Sequence, residues 1–237
     1  MSNYDQNTTA PGFSADRAVA IDAGLRAYML RVYNYMAIGV GLTGLVAMLT
    51  YQLAGPALFQ SPLIWVFMLA PLALVFFIGA RINTLSAEMA RLLFFAYAAL
   101  VGLSLSTIFL VYTETSITRV FFISAATFGA LSLWGYTTRR DLSGLGTFLF
   151  MGLIGIVISS LVNLFLRSSG LDWIISVVGV GVFAGLTAYD TQRIKGMYDP
   201  SDDAVSTGRK AVMGALSLYL DFINLFMMLL RLAGNRR

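Results

Sequence analysis

The chain contains no cysteine and no histidine. That excludes disulfides, thiol nucleophiles, zinc sites built on Cys or His, haem ligation through His, and Ser-His-Asp catalysis. Charge is scarce too. Asp, Glu, Lys and Arg make up 12% of the 237 residues, about half the usual soluble share. Any chemistry must run on carboxylates, hydroxyls, Arg or Lys.

What is abundant is apolar: hydrophobic residues account for 58% of the chain. A soluble protein of this composition would expose patches well beyond the roughly few hundred Å² that monomers tolerate. A bilayer removes the difficulty, because apolar side chains can face lipid as well as one another. The net charge of +4 is spread over short loops and tails, with no basic helix or aromatic-basic platform, so nucleic acid is not an expected partner.

A transmembrane helix needs about 20 mostly apolar residues. Seven segments qualify: Val32 to Tyr51, Leu63 to Ala80, Leu92 to Tyr112, Val120 to Tyr136, Leu145 to Leu166, Trp173 to Tyr189, and Ala211 to Leu232. Barrel strands would be about half as long and strictly alternating, so the fold class is an all-α membrane protein of seven transmembrane helices. Residues 1–25, with Asp5, Asp16 and Asp22, read as a disordered polar tail rather than a secretory signal. No lipidation motif is visible. Residues 26–237 form one domain. Gly181 and Gly185 give a G-x-x-x-G spacing that permits close helix approach, although glycine is also common in membrane helices generally.

Orientation follows from Lys and Arg. With the N-terminus inside, the inner regions hold Arg17, Arg26, Arg31, Arg81, Arg91, Arg139, Arg140, Arg193, Lys195, Arg209 and Lys210. The outer loops hold only Arg119 and Arg167. An N-terminus in the cytoplasm is therefore expected. Seven crossings then leave Arg231, Arg236 and Arg237 outside, against the bias. Either the last segment crosses against its charge, which the sequence favours, or it re-enters.

An ionisable side chain inside a span is costly and usually functional. Asp221, in ALSLYLDFINLFMMLL, lies roughly 16 Å along the helix from Lys210, near mid-bilayer. Ser217, Asp221, Asn224 and Met228 fall at i, i+4, i+7 and i+11, one stripe on an otherwise apolar helix. The plainer alternative is a protonated carboxyl donating a hydrogen bond between helices. Asp190 closes the sixth segment about one turn inside the inner surface, where the plainer alternative is a local pair with Arg193 at i+3. Arg81, at the inner end of the second segment, reads either as a counter-ion for Asp190 or as an ordinary positive flank. This counting leaves Asp190 and Asp221 roughly 8 to 10 Å apart along the membrane normal.

Two of these segments, AYDTQRIK at 188–195 and LSLYLDFINLF at 216–226, resemble the signature segments of the Bax inhibitor family of integral membrane proteins. The resemblance covers nearly the whole chain in span count, polar tail and motif order. It implies a bundle in which six helices surround a central seventh, and a pH-sensitive calcium leak channel as in bacterial relatives. It also implies a hydrogen-bonded aspartate pair from the last two helices beside an arginine of the second. By motif the pair carries over to Asp190 and Asp221, which would also line the calcium path, with Arg81 as the arginine and Ser217 and Asn224 as supporting polar groups. No glutamate lies within 63–80, where some relatives carry one.

Two carboxylates in contact in low dielectric share a proton and titrate in two separated steps. Deprotonation would create repulsion and a negative site for a hard cation such as Ca²⁺. The expected surroundings are the lipid bilayer, calcium and protons, in a bacterial inner membrane, with no resident cofactor. The expected function is non-enzymatic. An intramembrane aspartyl protease would need G-x-G before its second aspartate, but Leu218-Tyr219-Leu220 precede Asp221. A retinal protein would need a mid-membrane lysine, but Lys195 and Lys210 are interfacial. The remaining alternatives are a proton-coupled transporter and a non-conducting regulator that binds a membrane protease or another membrane protein.

Overall fold

The computed structural model describes residues 12–61 and 63–237. Its regular elements are all helical: α1 (Gly12–Gln60), α2 (Leu63–Arg81), α3 (Ala87–Leu105), α4 (Ile108–Val111), α5 (Glu114–Thr137), α6 (Ser143–Leu166), α7 (Ser169–Gly196) and α8 (Ala204–Ala233). Six helical stretches among the described residues are long and apolar enough to cross a membrane, and the apolar part of α2, Trp65–Arg81, is shorter. The chain is thus a membrane helical bundle. Asp5 lies outside the described residues, as do the side chains of Asp16 and Arg17. From Gly12 onward the stretch expected to be a disordered tail is helical, continuous with α1.

The segment expected as one span from Leu92 to Tyr112 is broken between α3 and α4. Hydroxyls at the break bond backwards to the backbone: Ser106 Oγ donates to Leu103 O at 2.6 Å and Thr107 Oγ1 to Ser104 O at 3.0 Å. Such local bonds compete with the helical ladder.

The last helix occupies the middle. α8 packs against α1, α3, α5 and α7, and 61% of its apolar window is buried, against 11–39% for the other five. The outer positions belong to α2, packed mainly on α3, and α6, packed on α7. The six-around-one expectation is therefore refined to four main neighbours, with two helices outside them. Gly179 and Gly185 of α7 admit Met228 of α8 and Leu149 of α6, where an added β-carbon would lie 2.8 and 2.6 Å from side-chain atoms. Gly181 has open space beside it, so the expected G-x-x-x-G pair does not act as one ridge.

Helix ends alternate between the two faces of the bundle. One face gathers Asn83, whose carbonyl accepts from Arg209, and the 138–142 loop, which Gln192 holds by accepting from Leu142 N and donating to Arg140 O, both at 2.8 Å. The opposite face gathers Tyr51, Glu114, Asp172 and the C-terminal residues. There Arg231 and Arg236 approach Asp172 at 3.6 and 3.7 Å, and Arg237 lies 3.8 Å from Glu114 and 3.0 Å from Tyr51 Oη. The continuous α8 thus runs from one face of the bundle to the other. The three arginines that opposed the charge bias each meet an acid at their own end.

Candidate functional site

α6 and α8 both pack on α7 and leave a gap between them, a cavity of about 480 Å³. Gly146, Thr147 and Phe150 line it from α6, Tyr189, Asp190 and Arg193 from α7, and Ser217, Asp221 and Asn224 from α8. Four of the five residues expected at the site, Asp190, Asp221, Ser217 and Asn224, are therefore brought together. Asp190 is 8% exposed and Asp221 5%. Their side chains lie within hydrogen-bonding range of each other, while Oδ2 of Asp221 has no partner among the described residues.

The depth difference counted from the sequence is smaller in the fold. Gly214 of α8 sits against Ile194 of α7, and Gly179 of α7 against Met228 of α8. These contacts fix an antiparallel register that puts Asp221 within about one turn of Asp190. The first turns of α8, about two by helical pitch, project beyond the end of α7 and carry Lys210 with them. Lys210 reaches Asp202 of the connecting loop at 2.5 Å and does not mark where α8 enters the apolar layer.

The counter-ion also differs from the family expectation. Arg193 Nη2 lies 3.2 Å from Asp190 Oδ1 and donates to Ser217 Oγ at 3.3 Å, so one guanidinium links α7 to α8. Arg81 is exposed at the end of α2 and is not among the residues lining the cavity. The cause is architectural, because α2 packs on α3 and α1 while the cavity lies between α6 and α8. The local alternative for Asp190, a pair at i+3, is what forms, and it coexists with the Asp221 contact. Arg193 is also 5.8 Å from the Tyr189 ring centroid, which adds a cation–π attraction.

Asn224 turns its amide back to Leu220 O at 2.8 Å, presenting its carbonyl edge as the remaining acceptor. Gln192 and Lys195 were not singled out from the sequence, although both stand in the AYDTQRIK motif. Lys195 donates to Tyr136 O at 2.9 Å, and together with Gln192 it pins the mouth-side loop to α7. Among the described residues no cluster of three or more metal-binding side chains exists. A pair of carboxylates falls short of the roughly six to eight oxygens of a resident calcium site and suits passing contact with a cation.

Comparison with known proteins identifies the family. The family model described as "Inhibitor of apoptosis-promoting Bax1" matches residues 25–237. The chain is 50% identical over 228 residues to the inner membrane protein YbhL of Escherichia coli (strain K12), covering 94% of this chain and 97% of that protein. It is likewise 50% identical over 242 residues to RP147 of Rickettsia prowazekii, covering 100% of both. To the membrane protein SpyM3_0260 of Streptococcus pyogenes it is 41% identical over 226 residues, covering 90% of this chain and 95% of that protein. Motifs, helical architecture and full-length relatives converge, and the chain belongs to the Bax inhibitor family.

Proposed function

We propose that this protein is a pH-sensitive calcium leak channel of a bacterial inner membrane, gated by Asp190 and Asp221. It crosses the membrane seven times with its N-terminus in the cytoplasm. The observation that carries the reading is the meeting of two buried carboxylates and a single guanidinium on the wall of one cavity. The inner-membrane location rests on the name of the Escherichia coli relative.

Charge counting gives the mechanism its direction. With one proton on the pair, the remaining negative charge is balanced by Arg193, and the shared proton ties α7 to α8. Loss of that proton leaves one unbalanced negative charge where water is scarce and Coulomb forces are strong. The carboxylates then repel, the helix contact loosens, and the exposed oxygens attract a hard divalent cation. Gating in this scheme needs no resident metal.

The test is calcium flux into liposomes containing the purified protein, measured across pH. Asp221→Asn should abolish the pH step, because the amide neither ionises nor shares a proton. A variant with the same pH dependence as wild type would place the gate elsewhere. If wild-type protein passes no calcium in pure liposomes, conduction is wrong and a binding regulator of another membrane protein takes its place.

A further inference from the structure

The face opposite the aspartate pair carries a second charged site. Arg231 and Arg236 approach one carboxylate there, Asp172, and Arg167 lines the same cleft. Two adjoining cavities of about 340 and 400 Å³ share Asn163, Arg167, Asp172 and Arg231 as lining. The distances from Asp172 to Arg231 and Arg236 are 3.6 and 3.7 Å, longer than the roughly 2.7 to 2.9 Å of a close charge-assisted bond. Each guanidinium offers five donors, so one distant carboxylate leaves most of them available. Arg167 has no acidic partner among the described residues. The cleft is therefore built with positive charge in excess.

Two further observations narrow the ligand. Leu164 lines one cavity and Trp173 the other, and both are exposed, as are Phe165 and Leu166 beside them. The charged cleft is thus continuous with an apolar ridge that faces lipid, with a tryptophan at the boundary where indoles settle in membranes. Arg167 itself caps α6 in the left-handed region at φ 50. Glycine is the low-cost residue at such a cap, so an arginine there bears a backbone cost.

We propose that the cleft between the ends of α6, α7 and α8 binds the phosphate of an anionic phospholipid, held by Arg167, Arg231 and Arg236, with an acyl chain along Leu164 and Trp173. Arginine suits the role because its planar fork matches phosphate oxygens two at a time. The lipid charge supplies the counter-charge that Asp172 alone does not. It also accounts for arginines on a face where the distribution of Lys and Arg disfavours them.

The test uses the full-length protein in detergent, titrated separately with phosphatidylglycerol, phosphatidylcholine and inorganic phosphate. Bound lipid is read by native mass spectrometry and stability by thermal unfolding. Phosphatidylglycerol should stay bound and raise the unfolding temperature of wild type. Arg167→Gly should retain it about tenfold less well, the loss of one charge-assisted contact. Without lipid, this variant should unfold no earlier than wild type, because glycine relieves the left-handed cap. Arg236→Gln, read the same way, should also lose retention, whereas Arg139→Gln at the opposite face should not. Equal retention by wild type and Arg167→Gly would overturn the proposal. So would an equal response to phosphatidylcholine, or a response to inorganic phosphate alone that matches the lipid.

Discussion

At one end of the bundle two buried aspartates line a cavity with the single guanidinium of Arg193, while at the other three arginines line a cleft with the single, partly exposed Asp172. The residue types are the same and the ratios are reversed. What separates the two ends is water. Asp221 is 5% exposed, so any charge imbalance around it is felt at low dielectric. The side chains of Asp172 and Arg236 are 35% and 64% exposed, so their imbalance is screened by solvent and salt. In the proposed mechanism the buried cluster stores a conformational choice in a single proton. The exposed one can exchange partners at little cost, as a binding site for a mobile anion should.

That contrast can be broken from either side. The largest effect is expected from Asp221→Lys, which places an ammonium beside Arg193 in the buried cavity and strips Asp190 of its partner. An uncompensated buried charge costs about 3 to 5 kcal/mol, enough to lower the yield of folded protein and the unfolding temperature sharply. An unfolding temperature close to wild type would show that water reaches Asp221 freely. Asp172→Asn should be mild, below about 1 kcal/mol for two long, exposed ion pairs. The same change removes the only acid that Arg231 and Arg236 meet among the described residues, so phosphatidylglycerol retention should rise. A fall would mean that Asp172 positions the arginines rather than competing for them.

The smallest expected effect lies at the start of α8. Hydrogen bonds from the side chain and backbone N–H of Ser206 hold the Asp203 carboxyl below the usual carboxylate range. A lowered folded-state value stabilises at neutral pH. That contribution is full above the ordinary Asp value and disappears as pH falls through the lowered one. Protection factors for amides in the first turn of α8, corrected for intrinsic exchange, should therefore fall in wild type once the pH drops below the ordinary Asp range. In Asp203→Asn, which caps without ionising, they should stay flat. The same acid dependence in the variant would assign the effect to another group.

Most of this architecture was legible because apolar run length is a strong signal. Every expected segment from Val32 to Leu232 lies on helix, although Leu92 to Tyr112 is divided between α3 and α4. The two aspartates stood out because a carboxylate amid Leu, Phe and Met is rare in a span. The arginine partner was not legible: whether Arg81 or Arg193 faces Asp190 depends on which helices are neighbours, and hydropathy carries no information about neighbours. The depth of Asp221 was misread for a related reason. A hydropathy window places the membrane edge at the first lysine, whereas α8 continues in a polar register from Ala204. The closeness of α7 and α8 was carried by small residues, Gly179 and Gly214, whose role depends on the partner helix.

α6 gives the carboxylate cavity one of its walls through Gly146, Thr147 and Phe150. Yet only 11% of its apolar window is buried, and its main protein contact is α7. Most of its apolar surface is therefore open to the lateral pressure and thickness of the surrounding acyl chains. Micelles and bilayers are then different mechanical environments for this one wall. The proposed proton response, recorded in detergent, would report a cavity whose outer side has been unloaded, and in a membrane it should shift with chain length even when the sequence is untouched.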